Sequence, residues 1–237
     1  MKIILSLFLF LALTASASTP ARVSLPEASL GTAEYDVKYR LAGITTHVAT
    51  ATISFEESEW EGKPAYHSSA LIKTQPFFRL FLNAEYKAEA WFSRNDLSPL
   101  HFVHSFKDGK YEVFYDYDSR IARSVWTAEG KETVVREDEF REKKAMDLLS
   151  ALHFVRFNDF KKVGESEDIL IVMPREARDG DIGWDDDHLV LRIKGEGVME
   201  NGSGNQMSIW RSTDSDRRIQ RLEMDLSSGS LRCILRP

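Results

Sequence analysis

The amino-acid sequence predicts a mainly β protein, a single antiparallel meander forming an open barrel or curved sandwich, with one main helix packed on it. Three observations carry this. Segments rich in β-branched and aromatic residues, about a dozen in all, recur at the turn spacing of sandwiches and barrels. One stretch near 143–158 changes from a period of two to a helical period and divides the strands into two groups. The chain then closes on Gln206 to Leu235, three short strands separated by Asp214-Ser215-Asp216 and Ser227-Ser228-Gly229. Two or three strands are marginal alone in water, so these need the rest of the sheet.

A chain of 237 residues with 43% hydrophobic and 29% charged residues has ordinary globular composition, enough for one sizeable core. Its formal charge of −6 is spread along the chain, without the concentrated basic stripe that phosphate binding requires, so nucleic acid is not an expected partner. Residues 1–17 read as a signal peptide. Lys2 precedes the apolar run Ile3 to Leu13, and Ala15-Ser16-Ala17 supplies a small-x-small cleavage site. The run is shorter than the roughly 20 residues a spanning helix needs, so cleavage after Ala17 and no transmembrane span in the mature chain are expected. Residues 18–31 form a flexible tail rich in Ser, Pro and Ala, and 32–237 a single β domain. Cys233 is the one cysteine, so no intrachain disulfide is expected, and it reads as a small buried hydrophobe.

Taken in order, Tyr35 to Leu41 alternates strictly and Gly43 offers a turn. Thr46 to Phe55 pairs with Tyr66 to Lys73 across a polar turn at Glu57 to Pro64. Gln75 to Leu82 breaks the alternation: Pro76 is followed by three Phe and two Leu, either a plug under the sheet or an apolar lip around a cavity. Strands resume at Tyr86 to Arg94 and Leu100 to Lys107. Asp108-Gly109 is a hairpin turn leading to Lys110 to Tyr117, Arg120 to Thr127 and Glu132 to Arg136. Ala145 to Phe157 places Met146, Leu149, Leu152 and His153 at helical spacing, with Asp147 near the helix start, where the dipole favours an acid. Beyond it, Asp168 to Met173 is an apolar strand, Pro174 to Asp187 a polar connection and Leu189 to Met199 a strand. Asn201 to Asn205 forms a turn before the closing meander.

The common hydrolase, metalloprotease and zinc signatures are absent, so no catalytic residue and no cofactor is expected. His101 and His104 share a ligand spacing only on a helix; on a strand they point to opposite faces. The carboxylates of Asp179 to Asp187, interleaved with two glycines, offer oxygen ligands for calcium or form a solvated turn. Aromatics at alternating positions, among them Tyr86, Phe102 and Tyr115, either fill a core or line the concave side of a curved sheet. A barrel too wide to fill would leave a cavity suited to a lipid or acyl chain. On that reading Phe77, Phe78, Phe81, Leu82, Tyr86, Phe102 and Tyr115 are the candidate ligand-binding residues.

The chain also resembles a family of exported Gram-negative bacterial proteins, the domain of unknown function 3108. The resemblance rests on Glu34-Tyr35-Asp36-Val37 with Gly43, Pro64-Ala65-Tyr66, Leu97-Ser98-Pro99-Leu100 and Asp147 to Leu152. It continues through Ile209-Trp210, Asp214, Asp216, Arg217 and Arg218 to Gly229-Ser230-Leu231-Arg232, nearly the whole mature chain. Gln220 stands where the family pattern has a proline. The resemblance implies a periplasmic, mostly antiparallel β protein, comparable with the open barrels of periplasmic lipoprotein carriers, and supplies no catalytic residues. Two readings follow: a non-catalytic carrier of an apolar ligand such as a lipid, or an interaction protein of the cell envelope that docks through a strand edge or the Trp210 region. An enzyme is the third and least supported reading.

Overall fold

The structure, a computed structural model, describes residues 25, 27–78, 85–160, 164–174, 176–195, 205–226 and 228–237. Residues 1–17, Phe81, Leu82 and the Asn201 to Gly204 part of the expected turn lie outside these. Of the expected tail, Glu27–Ser29 forms a 3-10 turn whose Ser29 is buried and whose flanking Leu25 and Leu30 pack on the core.

Alternation of core-facing and outward residues builds β1 (Gly31–Leu41), β2 (Ile44–Trp60), β3 (Lys63–Thr74), β4 (Glu85–Ser93), β5 (Pro99–Phe106), β6 (Gly109–Asp116), β7 (Ile121–Ala128) and β8 (Val134–Glu139). After β9 (Lys144–Met146) and the helix α1 (Leu148–Phe157) come β10 (Ser166–Val172), β11 (Ala177–Asp185), β12 (His188–Ile193), β13 (Gln206–Arg211), β14 (Ile219–Leu226) and β15 (Gly229–Leu235). All fifteen belong to one sheet, in which β1 to β8 and β10 to β15 are two antiparallel meanders joined by the β1–β15 ladder. The sheet is not closed: β8 and β9 are its edges, and Arg136 of β8 reaches across the gap to the Met173 carbonyl at 3.2 Å. Where the meanders join, Gly229 has φ +148°, and a Cβ there would meet the Arg40 carbonyl at 2.1 Å, so only glycine lets β15 approach β1 this closely.

The structure corrects the expected elements in four places. Glu57 to Pro64 is not a turn: β2 and β3 run on to Glu61-Gly62, whose positive φ angles make a two-residue hairpin turn. Pro174 to Asp187 is not a connection but mostly β11. Ile182 and Gly180 face the core, and a Cβ on Gly180 would lie 2.5 Å from the Arg192 carbonyl, so the bare glycine that hides the strand in the sequence is what allows its pairing. The meander is not wholly antiparallel, because β9 pairs parallel with β10. Lys144–Met146 thereby leaves the expected helix, which starts at Leu148 with Asp147 as its N-cap.

α1 sits on the concave face and joins the two halves of the core. Leu149 packs in a cluster with Phe55, Phe92, Phe102, Tyr111, Tyr115 and Phe140; Ala151 and Val155 pack with Tyr35, Ile169, Ile182, Leu191 and Ile209 of the other half. Each such buried large side chain contributes roughly 1.5–3 kcal/mol. His153 stacks among Phe55, Phe92 and Phe157, and its Nε2 lies 2.7 Å from Ser68 Oγ. Because Ser68 Oγ donates to the Ser54 carbonyl, it accepts from His153, which fixes the Nε2–H tautomer. Burial, reinforced by Arg156, holds this imidazole well below its usual range. The native state therefore cannot take up the proton that the unfolded chain binds below about pH 6.5, and stability is lost as pH falls through that value. His153→Gln, which cannot titrate, should remove this dependence. The stability advantage of wild type over His153→Gln should shrink by about 2 kcal/mol between pH 7 and pH 5, read by urea unfolding at each pH. A constant difference would refute the neutral assignment.

Candidate functional site

Because neighbouring strands alternate in direction, Gln75 to Phe78 after β3, the Lys107-Asp108 turn, residues 129–133, and Met173 and Pro174 after β10 all lie at one end of the sheet. The Glu129 N–H donates to the Asp108 carbonyl, tying two of these connections together. At this end the concave face carries a row of half-buried rings. Tyr86 of β4 lies against His104 of β5 (centroids 4.3 Å apart), His104 against Phe106 (5.8 Å), and Phe106 stacks on Trp126 of β7 (6.4 Å, planes within 19°). Period-two alternation puts Tyr86, His104, Phe106, Tyr111 and Trp126 on the side that α1 occupies further along the sheet. Burial lowers the His104 pKa and raises those of Tyr86 and Tyr111, so all three stay neutral near pH 7.

The row ends at a cavity of about 580 Å³ lined by Tyr111, Ser124, Trp126, Lys131, Val134, Arg136 and Pro174. It occupies the gap between the β8 edge and the end of β10, where the sheet fails to close. Its volume falls within the roughly 300–1,000 Å³ of small-ligand sites. Lys131 Nζ sits 5.4 Å above the Trp126 ring. Arg136 is held by Asp138 (Nε to Oδ2, 2.7 Å) and by the Met173 carbonyl. The arrangement offers apolar contact and positive charge, and groups no nucleophile with a base.

The candidate residues fall into three sets. Tyr86 belongs to the aromatic row. Phe77 is 67% exposed and Phe78 half-buried; the two rings meet edge to face in the segment at the same end, and Phe81 and Leu82 lie outside the described residues. Phe102 and Tyr115 are core: Phe102 packs on Tyr111, and the Tyr115 hydroxyl donates to Asp147 Oδ2 at 3.2 Å. The sequence reading missed Trp126, Lys131, Val134, Arg136 and Pro174. The alternation in β7 already set Trp126 in phase with Ser124, but only the curl of the sheet brings Pro174 opposite.

The carboxylates of 179–187 do not converge on a cation site. They lie along β11 and its turn: Asp179 pairs with Lys143, Asp181 and Asp185 with Arg192, and Asp187 with His188. Among the described residues no group of three or more His, Cys, Asp or Glu is placed to hold a metal ion. His101 and His104 face opposite sides of β5: His101 stacks with Trp60 and Phe114 on the convex face, His104 with Tyr86 on the concave one. Cys233 is a half-buried free thiol whose pKa burial pushes up to about 11.

Residues 34–184 match a family model described as a protein of unknown function, DUF3108. The chain belongs to that family. The match spans β1 to β11 and includes the N-cap Asp147 and the whole aromatic row, while the resembling residues 209–232 lie beyond it. No curated protein matches this DUF3108 chain. Among solved structures it is similar to a beta-barrel-like protein of domain of unknown function DUF1849 from Brucella abortus. The TM-score is 0.49 at 8% identity, covering 86% of this chain and 94% of that one. No helix among the described residues of the DUF3108 chain is long and apolar enough to cross a membrane.

Proposed function

We propose that this DUF3108 chain is an exported periplasmic, non-catalytic binding or carrier protein that takes an apolar ligand such as a lipid at the open end of its sheet. The observation that supports the reading is the cavity of about 580 Å³ running into the half-buried row Trp126, Phe106, His104 and Tyr86. A monomer seldom leaves contiguous apolar surface of this kind without a use for it. Export rests on residues 1–17, with cleavage after Ala17.

The test is a fluorescence titration with N-phenyl-1-naphthylamine, a neutral apolar probe. Saturable uptake is expected, and Trp126→Asp, which sets a carboxylate in the apolar wall, should weaken it at least about tenfold, the equivalent of about 1.4 kcal/mol. Circular dichroism checks that the variant is folded. Absence of saturable uptake by the wild type would overturn the carrier reading in favour of envelope interaction. N-terminal sequencing of the chain recovered from a periplasmic fraction should begin at Ser18; an intact Met1 would refute cleavage, and a chain found only in the cytoplasm would refute export.

A further inference from the structure

We propose that the ligand of this open end is an anionic amphiphile, an apolar chain bearing a carboxylate or phosphate head, with its head between Lys131 and Arg136 and its chain along the Trp126, Phe106 and Tyr86 wall. The inference rests on the binding reading above and adds the charge and orientation of the ligand. Of the seven residues lining the cavity, two are cations and none is an acid, although the chain as a whole carries −6. Lys131 is exposed above the Trp126 ring, and among the described residues no carboxylate pairs with it. Arg136 is anchored through Nε and Nη2 by Asp138 and the Met173 carbonyl, which leaves Nη1 with no partner among the described residues. A guanidinium held in this way loses little side-chain freedom on meeting an anion.

Tyr111 of β6 also lines the cavity. Its side chain is 1% exposed, with Ser124 beside the hydroxyl. The two cations lie on β8 and the connection before it, and the aromatic row leads away from them across β7, β5 and β4 toward Tyr86 and the Phe77-Phe78 segment. That polarity fits a head-and-tail molecule and not an all-apolar one.

The experiment is displacement of N-phenyl-1-naphthylamine by four twelve-carbon chains held below their aggregation concentrations: dodecanoate, dodecyl phosphate, dodecanol and dodecylammonium. Either or both anions should displace the probe at about tenfold lower concentration than dodecanol, with dodecylammonium weakest, and 0.5 M salt should narrow the gap. The more potent anion identifies the head group. Lys131→Glu should cut the preference, taken as the ratio of anion to dodecanol potency on that variant itself, to less than about threefold, and Arg136→Gln should act in the same direction. Displacement of bound probe by all four chains at equal concentration would overturn the head-group assignment and leave the binding reading standing. A wild-type protein that takes up no probe at all would overturn both.

Discussion

Arg211→Met is expected to lower the unfolding free energy by about 3 kcal/mol, since hydrogen bonds to charged groups contribute about 1.5–3 kcal/mol each and several are lost. Chemical denaturation reads this directly, and a thermal scan should show a midpoint lower by roughly 6–12 °C for a domain of this size. The reason lies in the end of α1. A helix leaves its last four carbonyls without intrahelical partners, and in α1 each is accounted for. The Asn158 backbone and side-chain amides donate to the Phe154 carbonyl. Arg211 Nη1 donates to the carbonyls of Val155 (2.5 Å), Arg156 (3.2 Å) and Asn158 (2.8 Å). Arg217 Nη1 donates to that of Phe157 at 3.2 Å.

Arg211 thus caps the helix, complements its dipole and fastens it to β13 in one contact. Burial lowers the Arg211 pKa, but an arginine remains charged. Methionine keeps the stem packed near Trp184 and Phe160 and removes the donors. Arg211→Lys should recover only part of the loss, because the ammonium is more strongly hydrated, so burying it costs more, and it lacks the fixed planar fork that holds Nη1 against the carbonyls. Stability of Arg211→Met within about 0.5 kcal/mol of wild type, the range of a neutral surface substitution, would show that the cap is decorative.

What the sequence made legible, and what it concealed, divides along the reach of the physical signal. β14 and the hairpin joining β5 to β6, whose turn falls one residue earlier than expected, at Lys107-Asp108, follow from period-two alternation and turn chemistry, which act over a few residues. β11 was concealed because Gly180 and Gly183 replace two side chains of its pattern, and β9 because three residues carry no period. Aromatic alternation by itself could not separate cavity from core or from outer surface. Tyr86, Phe102 and Tyr115 share one face, yet one lines the open end and the others are sealed against Tyr111 and Asp147. Trp91 and Phe114 meanwhile stack with His101 on the convex side. The lining of the cavity was least legible, since Trp126 and Pro174 are brought together only by the curl of a sheet that stays open.

Asp147→Ala should cost about 3 kcal/mol and Asp147→Asn at pH 7 about 1–2 kcal/mol, because Ala leaves three buried donors without an acceptor, whereas Asn keeps one oxygen for the Ser150 N–H and turns an NH2 toward two hydroxyls that can accept from it. Asp147 is 1% exposed. Its Oδ1 accepts from the Ser150 N–H at 2.9 Å, capping α1, and its Oδ2 accepts from the hydroxyls of Ser150 at 2.5 Å and Tyr115 at 3.2 Å. Burial raises its pKa against the pull of these donors. The sign follows: a carboxyl whose folded pKa is raised contributes stability that is complete below its unfolded value of about 3.9 and is lost as pH rises through the folded value. Wild type should therefore lose ground to Asp147→Asn as pH increases from 4 to 8, the opposite direction to the His153 effect, and the two should be separable by measuring both variants over the same series. Tyr115 shares β6 with Tyr111, so the carboxyl that starts the helix also steadies the strand lining the cavity. If Asp147→Asn proved as damaging as Asp147→Ala at every pH, then the second carboxylate oxygen, which asparagine lacks, would be what holds α1 to β6.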